Sequence, residues 1–104
     1  MKLFSLTVGI EKTADGSTLD NTEKKLDIIR EHLVSLTGGY TETATHGGWK
    51  NSAGEIVSES GRRFDVVCDD AKPLLSFARA AAAILKQESV LVTVTETTAL
   101  FIGQ

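Results

Sequence analysis

Residues 40–68 read Y40-T-E-T-A-T-H-G-G-W-K-N-S-A-G-E-I-V-S-E-S-G-R-R-F-D-V-V-C68, and their reading decides the fold. Tyr40–Thr45 is rich in threonine and Ile56–Cys68 is rich in Val and Phe, so both favour extended chain. Asn51-Ser52-Ala53-Gly54 between them supplies turn chemistry. Two strands in direct succession, with no helix between them, exclude a simple alternation of strands and helices. In the third strand Phe64, Val66 and Cys68 face one way. Trp49, the only tryptophan, is flanked by Gly48 and Lys50, a poor context for a core position, and is expected on a loop facing a ligand or partner.

Before this stretch, Leu3–Ile10 alternates with Phe4, Leu6, Val8 and Ile10 on one side, which predicts a half-buried first strand. Asp20 is placed to cap a helix, with Glu23 completing a capping box. Leu19, Leu26, Ile29, Leu33 and Leu36 form its apolar stripe, His32 points away into solvent, and Gly38-Gly39 ends it. After the stretch, Asp69-Asp70 caps a second helix with Pro73 in its first turn. Leu74, Phe77, Ala78, Ala81, Ile84 and Leu85 face the core. Val90, Val92 and Val94 then alternate along a last strand.

The order β-α-β-β-α-β is the split β-α-β, ferredoxin-like pattern, an α+β fold with a four-stranded antiparallel sheet and both helices on one face. At 104 residues the chain is expected to form a single domain spanning 1–104 and burying about 60–70% of its unfolded surface. The uncovered sheet face is expected to present Thr7, Gly9, Thr41, Thr43, Thr45, Val67, Leu91, Thr93 and Thr95, with little charge. Such a face either meets water or joins subunits.

Composition removes several classes of function. A net charge of −3 argues against nucleic acid, and the sole basic doublet, Arg62-Arg63, falls in a strand and reads as a solvated face. One cysteine allows no internal disulfide, and two histidines at no ligand spacing give no metal motif. The first ten residues are too short and too polar for a secretory core, and no stretch is long and apolar enough to span a membrane, so a cytoplasmic protein is expected. No nucleophile–base set or phosphate-cradling loop is present. Trp49 with nearby carboxylates (Glu55, Glu59, Glu88 and Glu96 are the candidates) suits a cationic, amine-bearing ligand, because the ring face attracts the cation and a carboxylate holds the ammonium.

From Gly48 onward the sequence resembles the phage-encoded S-adenosylmethionine lyases, long called S-adenosylmethionine hydrolases. The shared frame is G-W-K, where the family usually has tyrosine in place of Trp49, then Glu59. F-D-V-V-C-D-D-A-K, F-A-R-A-A, Q-E-S-V-L-V and T-E-T-T-A-L-F-I follow in order. The resemblance implies a homotrimer with active sites between subunits. It also implies cleavage of S-adenosylmethionine to 5′-methylthioadenosine and homoserine lactone, without cofactor, lowering the host's supply against restriction. By the family's pattern Glu59 is the catalytic residue, holding the substrate ammonium; Glu96 lies near it, and Gly48 and Trp49 wall the pocket. G-G-W, G-E-I-V-S-E and Q-E-S-V-L-V also resemble a bacterial family of small proteins with no assigned activity, which implies a non-catalytic binding or assembly module on the same fold.

Overall fold

The computed structural model describes residues 1–103. Strands β1 (Lys2–Gly9), β2 (Thr41–Lys50), β3 (Ile56–Cys68) and β4 (Leu91–Glu96) and helices α1 (Thr22–Thr37) and α2 (Lys72–Ile84) follow in the expected β-α-β-β-α-β order. The sheet runs β2-β3-β1-β4, with every neighbouring pair antiparallel. Phe4, Leu6 and Val8 of β1 and Phe64 and Val66 of β3 meet Leu26, Ile29 and Leu33 of α1 and Leu74, Phe77, Ala78 and Ala81 of α2, all fully or nearly fully buried. Each large apolar side chain so buried contributes about 1.5–3 kcal/mol. Both helices therefore lie on one face of the sheet, and the other face is open.

Several local expectations are corrected. Asp20 and Glu23 form no capping box: the cap residue is Asn21, in a left-handed conformation with φ 50°, and its side chain makes no cap bond. Asp20 instead pairs with Lys25, and Glu23 with Arg30. Asp70 accepts from the Lys72 amide at 3.0 Å, one residue outside the cap position. Leu36 and Val94 are exposed, Leu36 because it lies in the last turn of α1 and Val94 because β4 is an edge strand. His32 is exposed, but its ring meets Phe77 edge-on with centroids 5.6 Å apart. Gly38 ends α1 as expected, with φ 83° and its amide donating to the Val34 carbonyl.

The basic doublet splits between the two faces because a strand alternates. Arg63 lies on the open face beside Asp65, so that face is less neutral than the sequence implied. Arg62 points to the helix side and joins Glu42, which also receives two hydrogen bonds from Arg30 at 2.7 and 2.8 Å. Arg30 thereby ties α1 to the outer strand β2. First through its hydrogen bonds and then through its charge, it holds the Glu42 carboxyl below the usual 4.5. A carboxylate depressed in the fold stabilises it above its unfolded pKa, and that contribution is lost as pH falls through the folded value. Arg30→Gln is expected to cost ~1 kcal/mol near neutrality, since the pair is only partly shielded from water. In denaturant melts the gap from wild type should close well below pH 4.5. A gap that stays constant through acid would show that Arg30 acts by packing alone.

Candidate functional site

The largest departure from expectation lies at Trp49. The glycine pair Gly47-Gly48 reads as a loop, yet β2 runs through it to Lys50, with Gly47 opposite Glu59, Gly48 opposite Ser58 and Trp49 opposite Val57. Trp49 therefore stands on a strand, not on a loop, and is 57% exposed. The turn is confined to Asn51–Glu55, where the Asn51 side-chain oxygen accepts from the Ala53 and Glu55 amides at 3.0 and 2.9 Å. Gly54 takes the left-handed φ of 81° that this tight turn requires.

Because β1 pairs with β3 only from Gly61 to Cys68, residues 46–50 and 56–60 form a two-stranded arm beyond the sheet body. A two-stranded ribbon is marginal alone in water. This one is pinned at its base, where Glu11 accepts from the Ser60 amide at 2.6 Å and the Ile10 amide donates to the Ser60 carbonyl at 3.1 Å. Hydrogen bonding from Ser60, side chain first and then backbone, holds the Glu11 carboxyl below its ordinary range.

Where the arm leaves the body, the open face forms a cleft of about 470 Å³. Gly9, Gly48, Trp49, Glu59, Gly61 and Leu91 are among the residues lining it, and Gln87 and Ser89 approach from the connection between α2 and β4. Trp49 and Glu59 are diagonal neighbours on the same side of the arm, about 7–8 Å apart at the backbone. Glu59 is half-buried, and among the described residues no hydrogen bond or ion pair engages its carboxylate. A carboxylate beside an aromatic face, with its own valences unspent, can bind a cationic nitrogen. Three of the four residues singled out in the sequence thus share one cleft.

Glu96 does not join them. It pairs with Lys2 at the far end of β1, on the helix side of the sheet. The Lys2 ammonium, first by its hydrogen bond and then by its charge, keeps the Glu96 carboxyl below its usual range. Gly9, at the other end of β1, marks the Glu59 end, so the two carboxylates are separated by seven strand residues, roughly 23 Å. Sequence reasoning placed Gly9 on the open face but gave it no role, and it missed Gly61. The available signal was the direct cross-strand pairing of two glycines, which only the register reveals.

No protein-family model and no curated protein matches the sequence. Solved structures do share the fold. A phage SAM lyase in complex with S-methyl-5′-thioadenosine superposes with a TM-score of 0.66, covering 91% of this chain and 80% of that one at 18% identity. A phage SAM lyase in the apo state gives a TM-score of 0.59 over 90% and 78% of the two chains, again at 18% identity.

Proposed function

We propose that this protein cleaves S-adenosylmethionine to 5′-methylthioadenosine and homoserine lactone. The observation that carries the reading is the unengaged Glu59 carboxylate in one cleft with Gly48 and Trp49, on a fold shared with phage SAM lyases. The chemistry asks little of the protein. An oxygen of the substrate's own carboxylate attacks the γ-carbon of the methionine tail. The carbon–sulfur bond breaks with its electron pair going to sulfur, leaving a neutral thioether and a lactone. No proton moves in this step, so no general base, metal or cofactor is needed. Carboxylate and sulfonium lose opposite charges as they react, so a partly desolvated pocket favours the transition state. Holding the tail folded supplies the rest, up to about 7–11 kcal/mol for a well-oriented intramolecular reaction. Glu59 would anchor the ammonium, and Trp49 would wall the pocket. Backbone contacts from the Gly48–Trp49 segment would make the loss of the family's tyrosine hydroxyl tolerable.

The proposed assembly is a homotrimer with its sites between subunits. The marginal arm and the exposed Trp49 and Ile56 on its two sides call for a covering surface. Glu59 and Glu96 can meet only across a subunit boundary, because one chain holds them at opposite ends. Acting in a host's cytoplasm, such an enzyme would deplete the methyl donor on which restriction depends.

Purified protein mixed with S-adenosylmethionine should yield methylthioadenosine and homoserine lactone by mass spectrometry. In water enriched in heavy oxygen the new lactone should carry no label, and homoserine should appear only later, by lactone hydrolysis. Label entering at the carbon–sulfur cleavage step would indicate hydrolysis instead. Substrate left intact at high protein concentration would remove the enzymatic reading and leave the binding module, which draws on the same exposed arm.

A further inference from the structure

We propose that Gly9 is a positioning residue for Glu59, its missing side chain fixing where a cationic nitrogen is held in the cleft; this rests on the reading of Glu59 given above. Gly9 is the last residue of β1 and pairs directly with Gly61, and the bare backbone at this strand end has a local reason. Backbone conformation is not that reason, for Gly9 is absent from the positive-φ glycines Gly16, Gly38 and Gly54. Space is. A Cβ built on Gly9 falls 2.5 Å from Cδ and 2.9 Å from Oε2 of Glu59 and overlaps Oε1, and these are its three nearest atoms.

Gly61, directly opposite, has a different cause: its Cβ would overlap the Val8 carbonyl and lie 2.8 Å from Thr45 Oγ1. Gly61 is thus demanded by backbone packing in the sheet, whereas a methyl at position 9 meets only the far end of the Glu59 side chain, which would have to move aside. Because no hydrogen bond among the described residues orients Glu59, the bare backbone at Gly9 is what lets its carboxylate settle against the sheet at the cleft floor. A methyl at position 9 lifts the charge off that floor.

The test is a double-mutant cycle on kcat/KM for S-adenosylmethionine. Gly9→Ala should lower it about tenfold in the wild-type background, as expected of a binding group displaced by a fraction of an ångström to an ångström. In the Glu59→Ala background, where the methyl meets no carboxylate, the same change should have an effect under about twofold. A fully additive loss would overturn the proposal, since a merely structural glycine weakens both backgrounds alike. Glu59→Asp draws the carboxylate back and should shrink the Gly9→Ala penalty. A second readout needs no turnover: the carboxyl carbon resonance of Glu59, assigned by its loss in Glu59→Ala, should shift in Gly9→Ala. An unmoved resonance overturns the positioning role. Wild-type protein that leaves S-adenosylmethionine intact defeats the enzymatic reading, while the resonance still decides the role of Gly9.

Discussion

Glu59→Gln is expected to lower kcat/KM for S-adenosylmethionine by roughly ten- to a hundredfold, with the fold unchanged. The swap keeps the side chain's shape and removes its charge, so under the proposed function what it deletes is the charge-assisted bond to the substrate ammonium. Hydrogen bonds to charged groups contribute about 1.5–3 kcal/mol, and each ~1.4 kcal/mol corresponds to a decade in rate. Stability should hardly respond, because no described hydrogen bond or ion pair uses the Glu59 carboxylate and the backbone pairing with Gly47 is untouched. Glu55→Gln is the matched control. Glu55 is exposed in the hairpin turn, where its backbone amide, not its side chain, donates to Asn51. Steady-state kinetics on both variants, with circular dichroism melts, decide the matter. Full activity in Glu59→Gln together with loss in Glu55→Gln would mean that the ligand sits at the turn and not on the strand.

The order of elements was legible because each rests on a local pattern. Alternation in β1 and the third- and fourth-residue recurrence of Leu26, Ile29 and Leu33 survive into the fold, as does the glycine stop at Gly38. What failed was information held across strands. Gly47-Gly48 carries a loop signal in isolation, but ten consecutive pairs with β3 outweigh the weak strand preference of two glycines. That correction moves Trp49 onto a two-stranded arm, and it makes Trp49 and Glu59 neighbours by register and not by nearness in sequence. The capping box failed similarly: Lys25 and Arg30 compete for Asp20 and Glu23, and the helix begins at Thr22 behind Asn21 with no side-chain cap bond. The role of Gly9 was invisible for the same reason, since the atoms it must avoid belong to a residue fifty positions away.

Glu96 provides the test of the assembly. Glu59→Gln and Glu96→Gln proteins, each impaired alone, should recover activity when mixed under conditions that allow subunits to exchange. In a ring of heterologous contacts, every site would take Glu59 from one subunit and Glu96 from the next. Random exchange of the two variants in equal amounts then leaves about one site in four with both carboxylates intact, so roughly a quarter of wild-type activity should return. The geometry makes this a sharp comparison. Within one chain Glu96 is held by Lys2 on the helix side, at the end of β1 remote from Gly9 and the cleft. Sharing a site in cis would require the sheet itself to break. Mixing that restores nothing, although labelled subunits demonstrably exchange, would place Glu96 outside the site and leave its bond to Lys2 as its only role. Light scattering on the same samples supplies the remaining check: a monomer at micromolar concentration would rule out shared sites, whereas a trimer with about a quarter of the activity restored would assign the two carboxylates to different subunits.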